Sequence, residues 1–379
     1  MVNNFIPVNT PLLDGNELEY VTECIKTGWI SSEGPFVSEF EKKFAQYVDR
    51  KYGVAVSNGS AALDIAIRAL NIGQGDEVIM PTFTIISPTQ SVVRAGAIPV
   101  LIDSDLDTWN MDVGQIENKI TINTKAILVV HIYGLPVDMD PILELCAKYK
   151  LKLIEDAAEM HGQTYKGRKC GSFGDISTFS FYPNKHITTG EGGMIVCNDK
   201  ELSKRCSKLR NLAFEPHGKR FVHYELGWNY RITNIQAALG LAQLEKIEAH
   251  ILRKREIGLL YYHCLKDLTK IKLPKLKTSY SDNIFWVFGL LCNSAESSEK
   301  MVKTLSEEGI GTRPFFWCMH EQPVFIKMGL FSDEEYPKAE HISRCGFYLP
   351  SGLGITNEEI IYVSNTLLNL EKAIENFEK

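Results

Sequence analysis

Three groups of residues in this chain of 379 could do chemistry together. The first centres on Lys185, which stands between a β-rich run (177–182) and a glycine-rich turn, Gly190-Glu191-Gly192-Gly193, that leads into Met194-Ile195-Val196. A lysine held in a pocket beside another positive charge can have a depressed pKa and condense with an aldehyde to an imine, while nearby glycines let the backbone approach a ligand closely. Periodicity alone also fits a solvated lysine in a hairpin, the commoner state of lysines. The second group is Glu155-Asp156-Ala157-Ala158-Glu159, directly after the apolar run 151–154. Ligands of open α/β sheets bind at such strand ends, and a carboxylate there could keep a pyridine nitrogen protonated; a helix cap or a solvated acid fits the same pattern. The third is Ser57-Asn58-Gly59-Ser60-Ala61-Ala62, whose free N–H groups at a helix start could cradle a phosphate or serve an ordinary cap.

The elements that must position these residues alternate. Short β-rich runs at 53–56, 77–80, 99–102, 126–130 and 151–154 are separated by helical stretches at 61–70, 87–95 and 141–149. The near-continuous apolar strands predict a mostly parallel sheet covered on both faces. From 234 to about 265 a proline-free stretch rich in Gln, Ala, Leu, Glu and Lys predicts a long connecting helix. Beyond 272 the pattern predicts a smaller α+β unit, with a strand over 284–291, a helix over 297–308 and a last helix from 357. The expected division is a large domain over 1–250 and a small one over 251–379.

Hydrophobic residues make up 44% of the chain and the formal charge is −6, which supports a sizeable core and gives no overall attraction to nucleic acid or anionic lipid. No stretch approaches the roughly 18 apolar residues of a membrane span. The nine cysteines lack paired CxxC spacing, so neither a metal site nor a disulfide framework is expected, and a cytoplasmic location is. The glycine fingerprint of dinucleotide-binding folds is missing.

In this order, and together with Thr27-Gly28-Trp29-Ile30-Ser31-Ser32, Pro81-Thr82-Phe83-Thr84, His131-Ile132-Tyr133-Gly134 and Asn229-Tyr230-Arg231-Ile232-Thr233-Asn234, the motifs resemble the DegT-type sugar-nucleotide aminotransferases. The resemblance implies an aspartate-aminotransferase-like fold (fold type I) and pyridoxal 5'-phosphate as cofactor. Carried over by position, it makes Lys185 the Schiff-base lysine and the proton shuttle. Asp156 becomes the partner of the pyridine nitrogen, and Glu159 the neighbour of the phenolic oxygen. Gly59, Ser60 and Ser180 would hold the phosphate, and Phe83, which without the resemblance reads as a core residue, would stack on the ring. Asn229 would reach the phosphate in a neighbouring subunit, which implies a homodimer with shared sites. Arg231, Arg313 and His320 are candidate substrate contacts.

Relatives that remove the sugar 3-hydroxyl carry histidine in place of the lysine, so Lys185 favours amino transfer over dehydration. The runs 187–193 and 311–317 most resemble members that aminate C4 of GDP-4-keto-6-deoxy-mannose with glutamate as donor. A UDP-linked 4-keto sugar, amination at C3 and a ligand-sensing role without catalysis stay open at this point.

Overall fold

The protein is described from a computed structural model covering residues 5–215 and 218–377. Its centre is a seven-stranded sheet built from β1 (Tyr52–Val56), β2 (Glu77–Pro81), β3 (Ile98–Ile102), β4 (Thr124–Val130), β5 (Lys152–Asp156), β8 (Ile176–Ser180) and β9 (Gly193–Cys197), in the order β1-β9-β8-β5-β4-β2-β3. A two-stranded hairpin, β6 (Thr164–Tyr165) and β7 (Arg168–Lys169), precedes β8. Only β9 runs against its neighbours; the β2–β3, β2–β4, β4–β5 and β5–β8 pairs are parallel. The sheet is therefore mostly parallel, as the apolar runs predict.

Such a sheet needs cover on both faces, and alternation along the strands supplies it. In β4, Leu128 and Val130 join a core with α3 (Gly59–Ala69), while Ile127 and Val129 face the opposite side toward α5 (Met139–Tyr149). Under β8 and β9, Phe179, Met194 and Val196 pack against Phe40 and Phe44 of α2 (Pro35–Tyr47) and Leu241 of α7 (Asn234–Glu245). The remaining helices of this part are α1 (Glu17–Thr27), α4 (Ile86–Arg94) and α6 (Lys200–Arg210).

The expected single helix over 234–265 is two helices. Thr233 opens α7 with a capping box to Gln236, and Lys246 leaves helical geometry (φ −101°, ψ 2°) before α8 (Ile247–Leu265) begins. The break follows the cores: α7 lies against α1 and α2, whereas α8 turns to pack on α12 (Asn357–Phe377). There β10 (Ile271–Lys272), β11 (Phe288–Cys292), β12 (Arg313–Pro314) and β13 (Gly346–Leu349) form an antiparallel sheet in the order β10-β11-β13-β12. α9 (Ala295–Glu307), α10 (Pro323–Lys327) and α11 (Pro337–Cys345) complete this part. Among the described residues no helix is long and apolar enough to cross a membrane.

Candidate active site

A cavity of about 680 Å³ opens where β4, β5 and β8 end and α3 begins, lined by Val130, Asp156, Ser180, Gly59, Ser60 and Lys185 among others. This is the carboxyl edge of the parallel strands, where the chain leaves the sheet and side chains from several strands converge.

One end of the cavity is an anion cradle. Asn58 caps α3 by accepting from the N–H of Ala61 at 2.8 Å, so the N–H groups of Gly59 and Ser60, the first of the helix, have no intrahelical acceptor. Ser60 Oγ lies 2.7 Å from Ser87 Oγ, and a Cβ added to Gly59 would come 2.9 Å from the Cβ of Ser180. Glycine thus keeps open the space that Ser60 and Ser180 border.

The other end is acidic. Strand alternation sends the adjacent carboxylates Glu155 and Asp156 of β5 to opposite sides. Asp156, nearly fully buried, accepts from the N–H of Ala158 at 3.1 Å, and burial pushes its carboxyl up to about 6 despite the nearby Lys185. Glu159 accepts from the N–H of Tyr133 at 2.8 Å, and burial pushes it up to about 8 against the pull of Lys185. The Lys185 ammonium is shifted down by burial, with Glu159 and Asp156 opposing the shift. Two buried carboxyls and the half-buried Lys185 ammonium thus face one cavity, which is the pattern of a site built to take up a further charged group.

The lysine reaches this position because the loop between β8 and β9 is pinned. Phe181 donates its N–H to Gly192 O at 2.8 Å, Thr189 donates back to Phe181 O at 3.0 Å, and Gly190 takes a positive φ of 77° that a side chain would strain. Asn9 Nδ2 holds Pro183 O at 2.9 Å and the Trp286 indole N–H holds Asn184 O at 2.9 Å. The Lys185 ammonium sits 4.0 Å over the centre of the Trp286 ring.

Several expected contacts lie elsewhere. Phe83 is fully buried in an aromatic cluster with Tyr133, Phe315 and Phe316 and does not line the cavity. The chain turns after β2, and the residue that this turn presents to the cavity is Ile85, 46% exposed. His320 is also absent from the lining: it is buried between Thr82 Oγ1 at 2.8 Å and Glu340 at 3.2 Å, which ties the 318–320 turn to the segment after β2. Asn229 and Arg231 flank Tyr230, which does line the cavity, but themselves point away, Asn229 to solvent and Arg231 to Asn211. Arg313 lines a smaller adjoining cavity of about 230 Å³ that shares Tyr182, Asn184, Trp286 and Tyr348 with the main one. Trp286 and Tyr348 of the lining carry no signal in the sequence that separates them from core aromatics, whereas Phe316 lies in the 311–317 run that carries the resemblance.

His131, Glu155 and Cys170 form a buried group with metal-ligand atoms within 4.8 Å of one another. Its hydrogen bonds are already complete. His131 Nδ1 accepts from the N–H of Val137, so its Nε2 donates to Glu155, which also accepts from the N–H groups of Gly171, Phe173 and Gly174 and from Ser177 Oγ. These donors hold the Glu155 carboxyl down at about 2 against its burial, and the group is a structural network.

A phosphate cradle, a buried carboxylate and an amine around one cavity fit pyridoxal phosphate, which carries a phosphate, a basic ring nitrogen and an aldehyde. Known proteins agree. The chain is 43% identical to GDP-perosamine synthase of Escherichia coli O157:H7 over 96% of its length and 98% of that protein's. It is likewise 43% identical to GDP-perosamine synthase of Caulobacter vibrioides, over 94% and 95% of the two chains. Among solved structures, the PLP-form of sugar aminotransferase Spr1654 from Streptococcus pneumoniae superposes with a TM-score of 0.91 at 25% identity, covering 98% and 99% of the two chains. The description DegT/DnrJ/EryC1/StrS aminotransferase family matches residues 11–368, and the chain belongs to that family of pyridoxal-phosphate-dependent enzymes.

Proposed function

We propose that this aminotransferase moves the amino group of glutamate to C4 of GDP-4-keto-6-deoxy-mannose, giving GDP-perosamine. The observation that carries the reading is the meeting of Lys185, Asp156, Glu159 and the α3 cradle in one cavity. The relatives named GDP-perosamine synthase support the choice of sugar and nucleotide.

Bound here, pyridoxal phosphate supplies an aldehyde that takes up amines and a protonated ring that draws electron density from the carbon losing a proton. The Gly59 and Ser60 N–H groups with Ser60 and Ser180 would hold the phosphate, and the positive end of α3 adds to the attraction. Asp156 would face the ring nitrogen, and binding of that cation would return its raised carboxyl to the ionised form. Glu159 would stand near the phenolic oxygen. Lys185, neutral more readily because of its lowered pKa, takes the proton from Cα of the donor amino acid and delivers one to C4 of the sugar. Arg313, beside the main cavity, is the candidate contact for the nucleotide, because a guanidinium pairs with phosphate oxygens.

The same reading makes the enzyme a homodimer. Between α6 and α7 the exposed side chains of Phe221, Tyr224 and Leu226 accompany the exposed Asn229, a surface that a second copy would cover while Asn229 reaches its cofactor phosphate and Arg231 its substrate. Residues 1–250 act as the cofactor-binding domain and 251–379 as the smaller one. All nine cysteines are free, which suits the reducing cytoplasm.

The test is a coupled assay with glutamate and either GDP-4-keto-6-deoxy-mannose or its UDP-glucose-derived counterpart. A kcat/KM at least about a hundredfold higher for the GDP sugar, 2.7 kcal/mol at 1.36 per decade, supports the reading. The reverse preference overturns the choice of nucleotide.

A further inference from the structure

Lys185 must be held somewhere when its nitrogen is not bonded to the cofactor. We propose that Trp286 is a catalytic residue of this site, its indole face being the seat that receives the free Lys185 amine. The proposal rests on the reading of Lys185 as the reactive lysine.

The geometry is specific. The amine lies 4.0 Å over the ring centre, within the range in which a cation is attracted to the negative face of an aromatic, and indole is the strongest such face. The ring is almost fully buried and the residue is held from three directions. Its N–H donates to Asn184 O, one residue before the lysine, at 2.9 Å. Its backbone carbonyl accepts at 2.7 Å from Lys254 of α8, a buried ammonium that also bonds Ser351 O at 2.6 Å. Its flanks meet Tyr133 at 5.8 Å and Phe316 at 6.4 Å between ring centres. One side chain therefore positions the peptide before Lys185 through its edge and the reacting nitrogen through its face.

The electrostatics assign the ring a task that the carboxylates do not cover. Asp156 at the end of β5 and Glu159 just after it face the amine, but both carboxyls are pushed up by burial. His161, held down at about 3, and His186, also held well below its ordinary value, stand behind the lysine as neutral rings. Lys254 adds a buried positive group behind Trp286 whose pKa falls to about 7. When Asp156 is engaged by the cofactor ring, the indole face is a partner for the ammonium that costs no proton.

A shape-preserving test separates the quadrupole from packing. Trp286 is replaced site-specifically by tryptophan carrying one to four ring fluorines, which weaken the negative face while keeping the indole in place. In the cofactor-free protein, the pH dependence of Lys185 modification by trinitrobenzenesulfonate is then read by peptide mass spectrometry. The apparent pKa of Lys185 should fall with each fluorine, by about one unit over the series, which is about a tenfold rise in reactivity below the pKa. An unchanged pKa across the series overturns the role of Trp286. Titration of the wild-type protein with pyridoxal phosphate tests the other reading separately. A missing lysine-dependent absorbance would remove the assignment of Lys185 as the reactive lysine, and with it the catalytic role of Trp286, whatever the fluorine series shows.

Discussion

The two sides of strand β5 carry neighbouring carboxylates with opposite fates. Behind the sheet, Glu155 collects five hydrogen bonds from His131, three backbone N–H groups and Ser177, and is held at about 2 although it is fully buried. In front, one backbone N–H satisfies Asp156, and burial pushes it up to about 6; Glu159 beside it rises to about 8. Burial acts alike on both sides, so the difference lies in the donors. A fully bonded buried carboxylate is finished structure, whereas an under-bonded one that faces a cavity awaits a cationic partner.

The largest expected effect falls on the cavity side. Lys185→Ala should lower amino transfer by about 10³-fold or more, as loss of both imine formation and the proton shuttle predicts, with the melting temperature little changed. Activity within tenfold of wild type would dissolve the contrast between the two sides. On the rear side, Glu155→Ala should cost about 3–5 kcal/mol of unfolding free energy by stranding its five donors, measured by urea denaturation.

The same carboxylate sets an acid limit. Its folded pKa lies below its unfolded value, so its stabilisation is complete above about pH 4.5 and is lost as pH falls toward about 2, an effect of about 3 kcal/mol. Glu155→Gln should flatten the stability profile in that window, whereas Asp156→Asn should act at higher pH and with the opposite sign, removing a destabilisation that sets in as pH rises from about 4 through 6. Asp156→Asn should instead lower kcat/KM by about a hundredfold, because a neutral amide cannot keep the ring nitrogen protonated. The smallest effect belongs to the cradle: Gly59→Ala sets a methyl 2.9 Å from Ser180 Cβ and should weaken cofactor affinity about tenfold, read by fluorescence titration.

Much of this was legible in the chain. The apolar runs announced the parallel strands, and the strand-end position of Asp156, the helix-start position of Gly59 and the lysine before a glycine turn placed the cavity. Periodicity stops where the strands do. After β2 the stacking role of Phe83 came from the resemblance alone, while its plain reading as a core aromatic matches its packing on Tyr133; that Ile85 meets the cavity shows only in the folded chain. His320 was likewise a candidate by resemblance alone: its partners Thr82 and Glu340 are distant in sequence, and only the folded chain shows both ring nitrogens occupied. Trp286 stands in the apolar run Ile284-Phe285-Trp286-Val287, where nothing separates a ring over the lysine from a ring in the core.

The most direct measurement is the visible absorption spectrum of the protein with pyridoxal phosphate, compared with Lys185→Ala and repeated after glutamate is added. The expected result is a band that depends on Lys185 and is replaced by that of the amine form when glutamate is supplied. A wild-type spectrum indistinguishable from that of Lys185→Ala would contradict it.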